Sequence, residues 1–159
     1  MQKEIEKTNV MRILEQHNIN YISYSYDSSK AISGIEVASI LQVNPEMVFK
    51  TLVTVGKSGE HYVFVIPVAQ ELDLKKAASV VEEKYIEMVK SKELLPLTGY
   101  IHGGCSPIGM KKFFKTTIDE TAILFDTILF SAGKIGFQVE VSLDDLQTIF
   151  PFTLQDLTK

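Results

Sequence analysis

Two apolar, β-branched runs, VFKTLVTV (48–55) and HYVFVIPV (61–68), flank GKSGE and constrain this chain more than any other feature. Such runs on either side of a glycine-containing turn form a β-hairpin. Side chains alternate along a strand, so Val48, Lys50 and Leu52 share one face while Phe49, Thr51, Val53 and Val55 share the other. Both sets are largely apolar, so both faces are expected to be buried. Lys50 is the anomaly of the strand.

Helix and strand signals alternate around the hairpin. Thr8 can cap a first helix with Val10, Ile13, Leu14 and His17 at i, i+3, i+4 and i+7, and Asn18 suits its end. NYISYSY reads as a strand. Ser33 and Glu36 form the S-x-x-E capping box of a second helix that runs to about Leu41, and Asn44-Pro45 starts one more short turn. Asp73 can cap a helix with Leu74, Ala77, Ala78 and Val81 on one stripe, and Ser91 opens a segment ending near Pro96. TILFSAG, a turn near GKIG, and FQVEVS give a second hairpin signal, after which Ser142 and Asp145 cap a last helix carrying Leu146, Ile149 and Phe150. With no repeat or linker-like stretch, the expectation is one α/β domain over residues 1–159.

The chain is 45% hydrophobic and 23% charged, the balance of an ordinary globular protein. No apolar run approaches the roughly 20 residues of a membrane helix, and MQKEIEKTN lacks a signal-peptide core, so a cytoplasmic location and no membrane partner are expected. A single cysteine, Cys105, excludes an intrachain disulfide and a Cys-rich zinc site, and the three histidines lie far apart. No metal or cofactor is expected. The net charge of -4 makes the chain a poor autonomous binder of nucleic acid, and no DNA partner is expected. Any RNA contact must rest on a local patch, for which Lys111, Lys112, Lys115 and Lys134 are candidates, or on a partner that holds the RNA.

The segment GYIHGGCSPIGMKK concentrates glycine and proline between two ordinary elements. Gly103 and Gly104 permit backbone conformations closed to other residues and a close approach of another molecule, so their amides could face a carbonyl or phosphate oxygen. A tight structural turn is the plainer alternative. The string GG-C-SP-I-G-M-KK resembles the GG-x-SP-x-G-x-KK signature of the YbaK/EbsC family of free-standing aminoacyl-tRNA deacylases. KTN near the start, FKTL, and LDLKKAA from Leu72 extend the resemblance, in the same order, over roughly residues 7 to 140.

That resemblance implies a mixed α/β fold with a curved, barrel-like sheet flanked by helices. It implies a trans-editing enzyme that removes cysteine from mischarged proline tRNA in association with prolyl-tRNA synthetase, a partner that would supply the RNA affinity. Lys50 matches the functional lysine of FKTL, either stabilising charge on the ester or gripping the terminal nucleotide. For an unassigned lysine, snorkelling from an apolar strand is the default. Tyr26, Thr51, Gly103, Gly104 and Ser131 match substrate-pocket positions, although SAGKIG stands here where many relatives have SGG. The family needs no protein nucleophile for cysteine, because the substrate thiol attacks its own ester and leaves as a cyclic thioester, so catalysis is mainly positioning. Three rivals follow. They are a deacylase of another aminoacyl-tRNA such as Ala-tRNA(Pro) with a water nucleophile, a non-catalytic tRNA or synthetase adaptor, and a hydrolase using the Cys105 thiol activated by His102, which lacks a third orienting group.

Overall fold

Capping chemistry sets the helix starts in the computed structural model, which describes residues 7–29 and 33–159. The Thr8 hydroxyl accepts from the Met11 amide at the head of α1 (Asn9–Gln16), and Asn18, at φ 57°, lies just past its end. Ser33 accepts from the Glu36 amide to open α2 (Gly34–Leu41), and Asn44 starts a 3-10 turn at Pro45–Met47. Asp73 accepts from the amides of Lys75 and Lys76 at α3 (Leu74–Val80), and Ser142 from that of Asp145 at α5 (Leu143–Gln147). Each oxygen satisfies an amide that a helix start leaves without a partner.

The hairpin forms as read, with β2 (Phe49–Gly56) antiparallel to β3 (His61–Pro67) in a register that sets Lys50 opposite Ile66 and Thr51 opposite Val65. It is the centre of a five-stranded sheet in the order β4-β2-β3-β5-β8. Here β4 (Ile86–Met88) runs antiparallel to β2, while β5 (Lys115–Asp119) and β8 (Phe152–Gln155) run parallel to β3 and to each other. A smaller antiparallel sheet has the order β1-β7-β6, with β1 (Ile22–Ser25), β7 (Phe137–Val141) and β6 (Ile128–Ser131). One parallel bridge, Val48 to Leu129, joins the two sheets. The barrel-like surface is therefore two sheets meeting at a seam rather than a closed barrel.

Both faces of the hairpin are covered. Phe49, Val53, Val63 and Val65 enter the main core with Val10 and Leu14 of α1 and with Ile128, Phe130 and Val139 of the small sheet. On the opposite face Phe64 and Ile66 pack with Leu72 and with Ala77 and Ala78 of α3, while Val48 packs with Ala38 of α2, Val68 and Leu129. A fully buried side chain such as Phe64 contributes about 2–3 kcal/mol.

Three local readings change. Leu74 is 41% exposed, because α3 buries Ala77 and Ala78 and turns its first residue outward. The helix α4 (Ser91–Thr98) continues through Pro96 and stops at Gly99, whose φ of 87° suits a glycine C-cap. Ile149 and Phe150 follow α5 instead of belonging to it. Beyond β8 the chain forms a strap. The Leu157 amide donates to the Asp119 carboxylate, the Asp73 amide to the Leu157 carbonyl, and Lys76 Nζ to the Thr158 carbonyl.

Candidate active site

Lys50 stands on β2 between two residues of its own face, Val48 in the cluster under α2 and Leu52 against the cluster under α3. Lys50 itself is half-buried. Among the described residues its ammonium makes no hydrogen bond or ion pair. Burial holds its pKa below the ordinary lysine value, and the carboxylate of Glu71 opposes that shift. Glu71 belongs to the loop after β3, whose Val68 amide donates to the carbonyl of Val48, just before β2.

The seam sets Ser131 on the same side as this lysine. Val48 bridges Leu129 in parallel, so two residues further along each strand Lys50 and Ser131 follow on the same face. Ser131 pairs with Gln138 across β6 and β7, and Gln138 pairs with Tyr24 on β1. The Ser131 hydroxyl accepts from the Gly133 amide and fixes the start of the 132–136 loop. Tyr26 is anchored to the other end of that loop through its amide, which donates to the Gly136 carbonyl at 2.9 Å.

The glycine segment closes the same end. A Cβ on Gly104 would lie 3.1 Å from the Ile135 backbone nitrogen, so a side chain there would have to push the 132–136 loop back by a few tenths of an ångström, whereas Gly103 is exposed and its φ of 89° favours glycine. Of the two amides, that of Gly104 is taken up by the Ile101 carbonyl. The Gly103 amide has no hydrogen-bond partner among the described residues and can face a ligand oxygen. Thus Tyr26, Ser131, Gly103 and Gly104 surround one loop, and Lys50 stands on the strand whose start the seam joins to the strand leading into it. Thr51 stands apart. Its side chain alternates to the core face, where its hydroxyl is buried without a partner among the described residues.

Residues 30–149 match the family model of the aminoacyl-tRNA editing domain. A protein of Enterococcus faecalis with the provisional name Cys-tRNA(Pro)/Cys-tRNA(Cys) deacylase EbsC is 48% identical over 141 residues, covering 88% of this chain and 86% of its own. The chain belongs to the aminoacyl-tRNA editing domain family. Solved structures show the same fold at lower identity. One, provisionally described as a trans-editing enzyme for prolyl-tRNA synthetase, has a TM-score of 0.82 at 21% identity, covering 97% of this chain and 99% of that one. Another, a hypothetical protein, reaches 0.85 at 19% identity, covering 94% of this chain and 99% of that one.

Within this editing domain Cys105 is placed for packing. It is buried in the main core, where desolvation pushes its thiol up to about 12 and the Thr98 hydroxyl opposes the shift. His102 is exposed, and no hydrogen bond joins the two among the described residues. A thiol in that state supplies almost no thiolate at neutral pH. Cys105 is accordingly a core residue rather than an activated nucleophile. Of the candidate lysines, Lys111 packs its stem near Gly99, Lys134 lies 5.5 Å from the Phe137 ring centroid, and Lys115 opens β5.

Sequence reasoning passed over Gln138. Only 7% exposed, it keeps a buried amide oxygen with no partner among the described residues, on the face shared with Tyr24 and Ser131. In the sequence it is simply the polar alternate of FQVEVS, and only the cross-strand register reveals where it sits. Two surface hollows lie away from Lys50. One of about 340 Å³ is lined by α3 and the start of β4, and one of about 150 Å³ contains Pro107, Lys112 and Phe113. Among the described residues, no group of three His, Cys, Asp or Glu side chains could hold a metal ion, and no helix is long and apolar enough to cross a membrane.

Proposed function

We propose that the chain, taken as one editing domain over residues 1–159, removes cysteine from mischarged proline tRNA in trans. The observation that carries this reading is the 48% identity to the E. faecalis deacylase over nearly the whole chain. The state of Cys105 supports it, since an enzyme without an activated protein thiol suits a substrate that brings its own nucleophile.

In this mechanism the cysteinyl thiolate attacks its own ester carbonyl. The carbonyl electrons move to oxygen, the tetrahedral intermediate collapses, and the ribose oxygen leaves and takes a proton. The products are free tRNA and a cyclic thioester, a cleavage without water and therefore of the lyase type. Lys50 and the Gly103 amide are the cationic and dipolar groups available to the developing oxyanion. Lys50 can serve equally by gripping the terminal nucleotide. Tyr26 and Ser131 hold the loop that shapes the pocket, while Thr51 contributes through its main chain.

The action takes place in the cytoplasm, where charged tRNA is found, with prolyl-tRNA synthetase as the partner that supplies tRNA to an acidic chain. The test measures deacylation of Cys-tRNA(Pro), Ala-tRNA(Pro) and Pro-tRNA(Pro), with and without synthetase. Rapid loss of the cysteinyl ester alone is expected. Loss of the alanyl ester instead makes the enzyme a water-using editor, and stable esters despite tRNA binding make it an adaptor.

A further inference from the structure

The larger hollow, about 340 Å³, lies where α3 meets the start of β4, and Ala78 and Ile86 on its wall belong to the cluster on the Lys50 face of the five-stranded sheet. Its lining includes Lys75 and Ser79 of α3, Lys84, and Tyr85, which is 49% exposed. Lys75 belongs to LDLKKAA, a motif the catalytic site leaves unused. Its neighbour Lys76 is committed to Asp156 and the Thr158 carbonyl. By contrast, neither the Lys75 nor the Lys84 ammonium has a hydrogen bond or ion pair among the described residues. Glu83 also lines the hollow, but its carboxylate accepts from the Ser58 amide, the Ser58 hydroxyl and the Tyr62 hydroxyl. Two free cations beside an exposed aromatic ring are the groups that nucleic-acid backbones and bases meet on proteins.

The register fixes where the hollow stands. Ile86, on its wall, pairs with Gly56, six residues along β2 from Lys50, a separation of about 20 Å. We propose that Lys75 and Lys84, with Tyr85 beside them, bind the tRNA backbone several nucleotides upstream of the esterified end while that end occupies the Lys50 site. The inference rests on the RNA substrate proposed above. It adds a contact separate from the chemistry and gives an acidic chain an RNA foothold of its own.

The test titrates uncharged proline tRNA onto the full chain and onto Lys75→Ala/Lys84→Ala across a salt series. Losing two phosphate contacts is expected to weaken Kd about tenfold and to lower the log–log salt slope by about 1.5. With Cys-tRNA(Pro), KM is expected to rise while kcat stays at the parental value, and Lys75→Arg/Lys84→Arg is expected to restore binding. If the parent binds tRNA and the alanine variant matches its Kd and slope, the hollow is not an RNA contact, and the deacylase reading stands. If tRNA binding is unchanged and only the association with purified prolyl-tRNA synthetase is lost, the surface docks protein and the proposal is overturned. Uncharged tRNA keeps the binding readout independent of deacylation.

Discussion

A positive charge in VFKTLVTV breaks an otherwise largely apolar alternation, and the half-buried Lys50, whose ammonium has no anchoring partner among the described residues, is the physical form of that break. Lys50→Met is expected to fold and to lose about 100-fold in the deacylation rate, the scale of removing one oxyanion donor, measured by single-turnover release of cysteine. Its stability should separate from the parent's as pH rises. Burial depresses the folded-state pKa, so between that pKa and the ordinary lysine value the unfolded chain holds more protons, and the parent gains on Lys50→Met with increasing pH. Chemical denaturation at a series of alkaline pH values reads this gain, and a constant difference would deny that the lysine is desolvated. Cys105 carries the opposite expectation. Cys105→Ala should deacylate within about threefold of the parent and cost about 1 kcal/mol of stability, the scale of a trimmed core side chain.

Elements were legible where their signals are local. Thr8, Ser33, Asn44, Asp73 and Ser142 each act within three residues of their own position, so the sequence alone placed every one of those starts. The strands β4, β5 and β8 escaped because they are short and are defined by pairing with distant strands, β5 with β3 and β8 with β5 in parallel. The candidate site divides in the same way. Lys50 and Gly103-Gly104 announce themselves by residue type. That Ser131 comes onto the same side as Lys50 depends on one bridge between strands about eighty residues apart, whereas the separation of Thr51 onto the opposite face is already legible in strand alternation. At this scale Gly104 is the sharpest test of how the glycine segment and the 132–136 loop fit together. Gly104→Ala pushes a methyl against the Ile135 backbone, so it should destabilise by about 1–3 kcal/mol and slow deacylation, both read on the same purified variant.

Across the whole molecule, the buried Asp119 fastens the strap. Its carboxylate accepts from the Leu157 amide and from the amide and hydroxyl of Thr121, so the end of β5 and the segment beyond β8 share one acceptor. Asp119→Ala leaves those donors unmatched and is expected to cost about 2–3 kcal/mol, visible as a lower denaturation midpoint. Fold and site are thereby tied, since the same strap braces the loop that carries Glu71 toward Lys50. The burial of Cys105 has a different bearing at this scale. The deacylation proposed here releases a strained acylating agent beside the protein that made it. A chain whose one thiol is sealed in the core and kept protonated offers that agent no sulfur to capture, so turnover need not end in self-inactivation.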